Sequence, residues 1–128
     1  MLVGVGVDLL HLARLRDVCS RRSHAKLASR ILCTIERDEY SRLGESVAEK
    51  ERFLALRWAA KEAAYKALYP NCAPTWKDLA VRKAGPKPLL AWAEDARASL
   101  SPHSTLKMHL SVSHDNDQLV AFVVVEDQ

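Results

Sequence analysis

No run of apolar residues in this 128-residue chain approaches the ~20 needed to cross a bilayer, so a membrane-spanning helix is not expected. Cysteine is scarce. Cys19, Cys33 and Cys72 are odd in number and far apart, and they match neither a zinc-ligand spacing nor a disulfide framework. That usage points to a reducing, intracellular compartment, with the cytoplasm favoured over the mitochondrial matrix. Residues Met1 to Asp8 have neither the basic start of a secretory peptide nor the Arg- and Ser-rich helix of a mitochondrial one, and read instead as a strand. Aromatic residues are only 6% and include no RNA-binding aromatic motif, which argues against a nucleic-acid partner. Internal repeats, low-complexity tracts and an interdomain linker are also lacking, so residues 1–128 read as one domain.

What charge there is lies unevenly. Formal net charge is +3, yet between His11 and Arg30 six cations (Arg14, Arg16, Arg21, Arg22, Lys26, Arg30) face the single acid Asp17, a local +5. Such a surface suggests an anionic partner. If residues 11–30 form a helix, Arg14 and Arg21, seven apart, share one face of it.

Val3, Val5 and Val7 alternate with Gly4, Gly6 and Asp8 as in a half-buried strand, whose glycine side has room and ends on a carboxylate. A short helix is expected after Thr34, read as its cap, with Glu36 and Asp38 in the first turn. The strongest helix spans about 47–69, where Phe53, Leu56, Ala60, Ala63, Ala67 and Leu68 recur at three and four residues and Pro70 stops it. Short strands are expected at 79–83 and 89–91 around the turn Ala84-Gly85-Pro86-Lys87-Pro88, then a helix over 92–100. A C-terminal hairpin pairs Lys107–His114 with Leu119–Val125 through Asp115-Asn116-Asp117. The fold class is α+β: a small antiparallel sheet packed with a long central helix.

Three places combine polar groups with a constrained setting. On the long helix Glu62 and Lys66 lie four apart and share a face, with Arg57 and Lys61 as a neighbouring basic pair; taken alone, such spacing is as well explained by solvated ion pairs. Asp8 ends its strand, and taken alone could be a cap. The preceding Gly4-x-Gly6 is not a dinucleotide fingerprint, because no third glycine follows at the required spacing. In His109-Leu110-Ser111-Val112-Ser113-His114, alternation puts His109, Ser111 and Ser113 on one strand face, a row of donors suited to phosphate oxygens or simply an exposed polar face. Ser113, His114 and Asp115 cannot form a triad, since consecutive strand residues point to opposite faces.

Read together and in order, Val5-Gly6-Val7-Asp8, the segment Arg57-Trp58-Ala59-Ala60-Lys61-Glu62-Ala63-Ala64-Tyr65-Lys66-Ala67, and His109 to His114 resemble the three signature motifs of 4′-phosphopantetheinyl transferases, in their short, single-unit form. Thr34 before an acidic helix and Gly85-Pro86-Lys87-Pro88 resemble secondary features of that family. The chain departs from the family in having Leu68-Tyr69-Pro70-Asn71-Cys72-Ala73-Pro74 where a glycine-rich turn is usual, and in the extra Pro86. The resemblance implies Mg²⁺-dependent transfer of the 4′-phosphopantetheine arm of coenzyme A to a serine of an apo acyl carrier protein, releasing 3′,5′-ADP. It implies Asp8 and Glu62 as magnesium ligands, and Lys66 and His109 beside them as catalytic groups. Arg57, Lys61, Lys87, Pro88, His109, Ser111 and Ser113 become coenzyme contacts, and Arg14 and Arg21 contacts to an acidic carrier protein. The base that deprotonates the serine stays open between Glu62 and a metal-bound hydroxide. A homotrimer with clefts between subunits is a further implication. The competing class is a non-catalytic basic module that docks RNA or an acidic protein.

Overall fold

A computed structural model describes residues 1–83 and 85–128; Ala84, the first residue of the expected turn, lies outside the described residues. Strand β1 (Leu2–His11) leads into helices α1 (Leu12–Arg22), α2 (His24–Ile31), α3 (Thr34–Ser41) and the long α4 (Val47–Leu68). A 3₁₀ turn (Trp76–Asp78), the hairpin β2 (Leu79–Lys83) and β3 (Pro88–Trp92), a second 3₁₀ turn (Ala98–His103) and the hairpin β4 (Leu106–Asp115) and β5 (Gln118–Asp127) follow. One sheet has the order β1-β5-β4 and the other pairs β2 with β3, all antiparallel. Among the described residues no helix is long and apolar enough to cross a membrane.

The core lies between the three-stranded sheet and α4. Ala59, Ala60, Ala63, Ala64 and Ala67 are all buried, as are Leu10, Ala121, Val123 and Val125 opposite them. The alanines let the strand come close, and the glycines let it come closer still. A Cβ at Gly4 would lie 1.9 Å from the Ala67 carbonyl oxygen, and one at Gly6 would lie 1.9 Å from that of Ala63. The buried side of β1 is therefore its glycine side, while Val5, Val7 and Leu9 point outward, about half exposed. Likewise β5, despite its nearly continuous apolar run, is buried on alternate residues only: Val123 is enclosed, Phe122 is 42% exposed.

Two expected helices differ. The single helix over 11–30 is broken at Ser23, whose φ of 106° leaves helical space. The Ser23 hydroxyl then accepts a hydrogen bond from the Lys26 amide (3.1 Å) and starts α2, which turns Leu27, Ala28 and Ile31 into the core. Residues 92–100 do not form a helix; β3 continues to Trp92, and the 3₁₀ turn that follows contains Pro102. Asp78 organises that region. Its carboxylate accepts from the Thr75 amide (2.7 Å), the Thr75 hydroxyl (2.9 Å), and the amide and guanidinium of Arg97 (both 3.0 Å). Burial alone would raise its pKa, but these bonds prevail and hold it below the usual aspartate value.

At α3 the N-cap is Cys33 rather than Thr34; the Glu36 carboxylate accepts from the Cys33 amide (3.0 Å), while the Thr34 hydroxyl donates to Asp95 (2.8 Å). The α1–α2 pair is fastened to α4 by Glu51, which accepts from Arg16 and pairs with His24, both at 3.1 Å.

Candidate active site

The approach of β1 to α4 carries the site. With Gly4 and Gly6 set against the helix backbone, the next residue on that face, Asp8, arrives beside Lys66, one turn beyond Glu62. The Lys66 ammonium donates to the Val7 carbonyl oxygen (2.9 Å) and to Asp8 Oδ1 (3.3 Å), so it serves the strand rather than acting as a plain intrahelical partner of Glu62. Burial, and next the Asp8 carboxylate, push the Glu62 carboxyl above the usual glutamate value; Lys66 and Arg14 pull partly against them. Two carboxylates thus share a half-buried corner with one flexible ammonium. Their mutual repulsion is what a hard divalent cation relieves, and two carboxylates with room for waters and phosphate oxygens suit Mg²⁺. Among the described residues no group of three or more His, Cys, Asp or Glu could hold a metal ion.

His109, Ser111 and Ser113 do not join this corner within one chain. They pair across β5 with Val124, Phe122 and Val120, which in turn face Val5, Val7 and Leu9. All of these side chains occupy the outer sheet face, whereas Asp8, in register with Ala121 and Val112, is on the helix side. On that outer face His109 Nε2 pairs with Glu126 at 2.8 Å, an interaction that lowers the Glu126 pKa. Lys87 and Pro88 lie at the β2–β3 hairpin, after the left-handed Gly85 (φ 90°).

The basic pair on α4 separates. Lys61 is 2% exposed, and its ammonium donates to the Ile31 carbonyl oxygen (2.7 Å), the Trp76 carbonyl oxygen (2.9 Å) and the buried Glu36 carboxylate. All three of its donors are engaged inside the protein, an arrangement that its position in the motif does not lead one to expect. Arg57 is also buried, over the Phe53 ring (3.5 Å) and 3.9 Å from Glu36, yet it lines a cavity of about 600 Å³ with Arg42, Arg52, Lys83 and His114, alongside Glu39 and Glu49. Its Nε has no hydrogen-bond partner among the described residues. Arg57 therefore keeps a place in an anion-binding reading, with Arg42, Arg52, Lys83 and His114 as residues that periodicity does not single out.

On the basic helices, Arg14 stacks over Trp58 (5.4 Å), and Arg21 pairs with Asp17 (3.2 Å). A cavity of about 290 Å³ opens beside them, bounded by Trp58 and Trp76 and by the cations Arg21, Arg22, Lys26 and Arg30. Glu36, at the centre of the interior bonds, is a residue whose importance the sequence pattern does not announce. Its Cys33-x-x-Glu36 spacing is the available signal, since that is the spacing of a capping box.

The 4′-phosphopantetheinyl transferase superfamily model matches residues 4–123. The holo-[acyl-carrier-protein] synthase of Azoarcus sp. (strain BH72) is 37% identical, with 98% of each chain covered. Among solved structures, the holo-(acyl-carrier-protein) synthase of Bacillus anthracis, in complex with CoA (3′,5′-ADP), is 30% identical with a TM-score of 0.77, covering 100% of this chain and 99% of that one. That of Neisseria meningitidis is 28% identical with a TM-score of 0.82, covering 99% and 100%. Three motifs in register, the strand-to-helix approach that brings two of them together, and likeness over nearly the whole length place this chain in the 4′-phosphopantetheinyl transferase superfamily, among its holo-[acyl-carrier-protein] synthases.

Proposed function

We propose that this protein transfers the 4′-phosphopantetheine arm of coenzyme A to a serine of an apo acyl carrier protein. The observation that carries the reading is the convergence of Asp8, Glu62 and Lys66 where β1 meets α4. The serine oxygen attacks the β-phosphorus of coenzyme A, the bond from that phosphorus to the bridging oxygen breaks, and 3′,5′-ADP leaves. Asp8 and Glu62 would hold Mg²⁺, which when bound would supply positive charge to the diphosphate. Glu62, the α4 carboxylate at this corner, would take the serine proton. Lys66, half exposed and tethered to Val7 and Asp8, can turn to the leaving phosphate and neutralise the charge that builds there. Arg57 and its neighbours in the larger cavity offer counterions for the phosphorylated end of the coenzyme. Lys87 and Pro88, at the start of β3, take the coenzyme contacts that the family resemblance implies for that hairpin.

A homotrimer completes the site in this reading. The outer sheet face exposes Val5, Val7, Leu9 and Phe122, an apolar patch that a second copy would cover. His109, Ser111 and Ser113 stand on that same face, so each could reach a phosphate only in a cleft shared between chains. The relatives named above are bacterial, which favours the cytoplasm over the mitochondrial matrix.

Incubation with coenzyme A, Mg²⁺ and an apo carrier protein, followed by intact-mass measurement, tests the reaction. A carrier gaining one phosphopantetheine is expected; an unmodified carrier in the presence of folded enzyme overturns the reading.

The basic helices supply the carrier surface. Because Arg14 also acts on Glu62, the cleaner test reverses Arg21 and Lys26 to Glu. The KM for carrier is expected to rise about tenfold at low salt, and the KM for coenzyme A to stay within about twofold, because exposed charges steer the acidic partner. The wild type should lose carrier affinity as salt rises, since screening acts over about 8 Å at physiological ionic strength. Equal salt slopes for the two proteins would remove these helices from the interface, and RNA binding lost with transfer intact would favour the competing class.

A further inference from the structure

We infer that the buried Lys61–Glu36 pair is a positioning device for Glu62 and for the cleft wall beside it, not a coenzyme anchor. The inference rests on the role given to Glu62 above.

The Lys61 ammonium has three donors, and all three are used inside the protein, on the last residue of α2 (Ile31), the 3₁₀ turn (Trp76) and Glu36. Glu36, fully buried at the start of α3, accepts in addition from the Cys33 amide (3.0 Å) and the Val81 amide of β2 (2.7 Å). One ion pair thus joins α2, α3, α4, the 3₁₀ turn and β2. Stability does not require so costly an arrangement, because a well-packed apolar pair in place of a buried ion pair is often neutral or stabilising. What an ion pair with fixed hydrogen-bond partners does provide is a single geometry.

The place where that geometry is set is telling. Glu62 is the next residue along the helix, so a tether at Lys61 fixes both the rotation and the axial position of Glu62 against Asp8. A cleft of about 310 Å³ opens beside it, lined by Lys61, Glu62, Tyr65, Pro74, Thr75 and Trp76. Its far wall is held twice: at Trp76 by the Lys61 ammonium, and at Thr75 by the Asp78 carboxylate. Release of Lys61 frees the helix and the wall together. A displacement of about 1 Å at a reacting group can cost about a hundredfold in rate, so the consequence is kinetic.

The test compares the wild type with the double variant Glu36→Gln/Lys61→Met. It removes both charges, while the introduced glutamine keeps an acceptor for the backbone amides. All rates are taken well below each protein's Tm. The expected result is a lowered Tm, because the buried Arg57 also loses the Glu36 charge beside it, and a kcat lower by about 30- to 100-fold, well beyond any change in the calorimetric Kd for coenzyme A. The Mg²⁺ concentration for half of the metal-induced thermal shift, read without any turnover, is expected to rise about tenfold, as for loss of an outer support to a metal ligand. Glu36→Asp alone, which keeps both charges of the buried pair but shortens the reach of the carboxylate by one methylene, is the second variant and serves where the double variant does not fold; its kcat is expected to fall about tenfold, with a smaller change in the Kd for coenzyme A. A kcat within about threefold of wild type in the folded variant makes the pair purely structural and overturns the inference. A Kd for coenzyme A that weakens as far as kcat falls makes Lys61 an anchor and also overturns it. Failure of the wild type to modify any carrier would instead count against the proposed reaction, and the Mg²⁺ thermal shift would still judge the positioning role.

Discussion

Glu62→Gln is expected to reduce transfer by at least about a hundredfold and, without Mg²⁺ at neutral pH, to make the protein melt a few degrees higher than the wild type. The two effects share one cause. Burial and the Asp8 carboxylate raise the Glu62 pKa in the folded state, so the fold retains this proton over a pH range where the unfolded chain has already released it. Stability from that difference is complete below the ordinary glutamate pKa, declines as pH rises through the raised value, and leaves the ionised carboxylate a net cost at neutral pH. Glutamine keeps the size and removes the charge, so its advantage opens between the two pKa values and is level above them. Mg²⁺ should raise the wild-type Tm and leave that of the variant almost unchanged, because the second carboxylate is gone. Scanning calorimetry at several pH values, with and without Mg²⁺, decides the matter. A variant less stable than the wild type in the absence of metal would mean that Glu62 supports the fold, and a near-wild-type turnover would remove it from the site.

Gly6→Ala is the substitution with the largest expected effect on folding. The added Cβ would stand 1.9 Å from the Ala63 carbonyl oxygen and 2.8 Å from the Ala67 amide nitrogen. These are backbone atoms of a hydrogen-bonded helix, so no side chain can turn aside. Overpacking of a core ordinarily costs about 1–3 kcal/mol, and a clash between two backbones belongs at or beyond the upper end of that range. Against a total stability of about 5–15 kcal/mol the variant should show a lowered urea midpoint or fail to accumulate. Any molecule that does fold must hold β1 away from α4, which carries Asp8 away from Glu62, so residual activity should fall further than the folded fraction. Denaturant titration with parallel rate measurements checks both parts. A Gly6→Ala protein with wild-type midpoint and rate would show that the strand does not set the site.

The elements with strong local signals are legible in the chain itself. Alanine and leucine at helical spacing, closed by Pro70, announce the long helix; alternating valines and a polar turn announce the terminal strands. The break at Ser23 is not legible, because a serine inside an otherwise helical pattern becomes a cap only when packing of α2 against the core makes it worthwhile to leave helical space. The segment at 92–100 misleads for a related reason: its helix formers yield to the pairing of Trp92 with Leu79 and to the hold of Asp78 on Arg97.

For the candidate site, Asp8, Glu62 and Lys66 are singled out by the resemblance of three motifs taken in order, since the spacing of Glu62 and Lys66 alone is as well explained by a solvated ion pair. Tertiary structure decides what each neighbouring residue is for. Lys61 and Glu62 are adjacent in the chain, yet successive helix residues point about 100° apart, which sends one into the interior and the other to the corner beside Asp8. His109 and Asp8 belong to the same family pattern, yet the pleat of the sheet sends them to opposite faces. Chain order records which groups are present; only the direction of each side chain, set by packing, decides whether a charge becomes a ligand, an anchor or a strut.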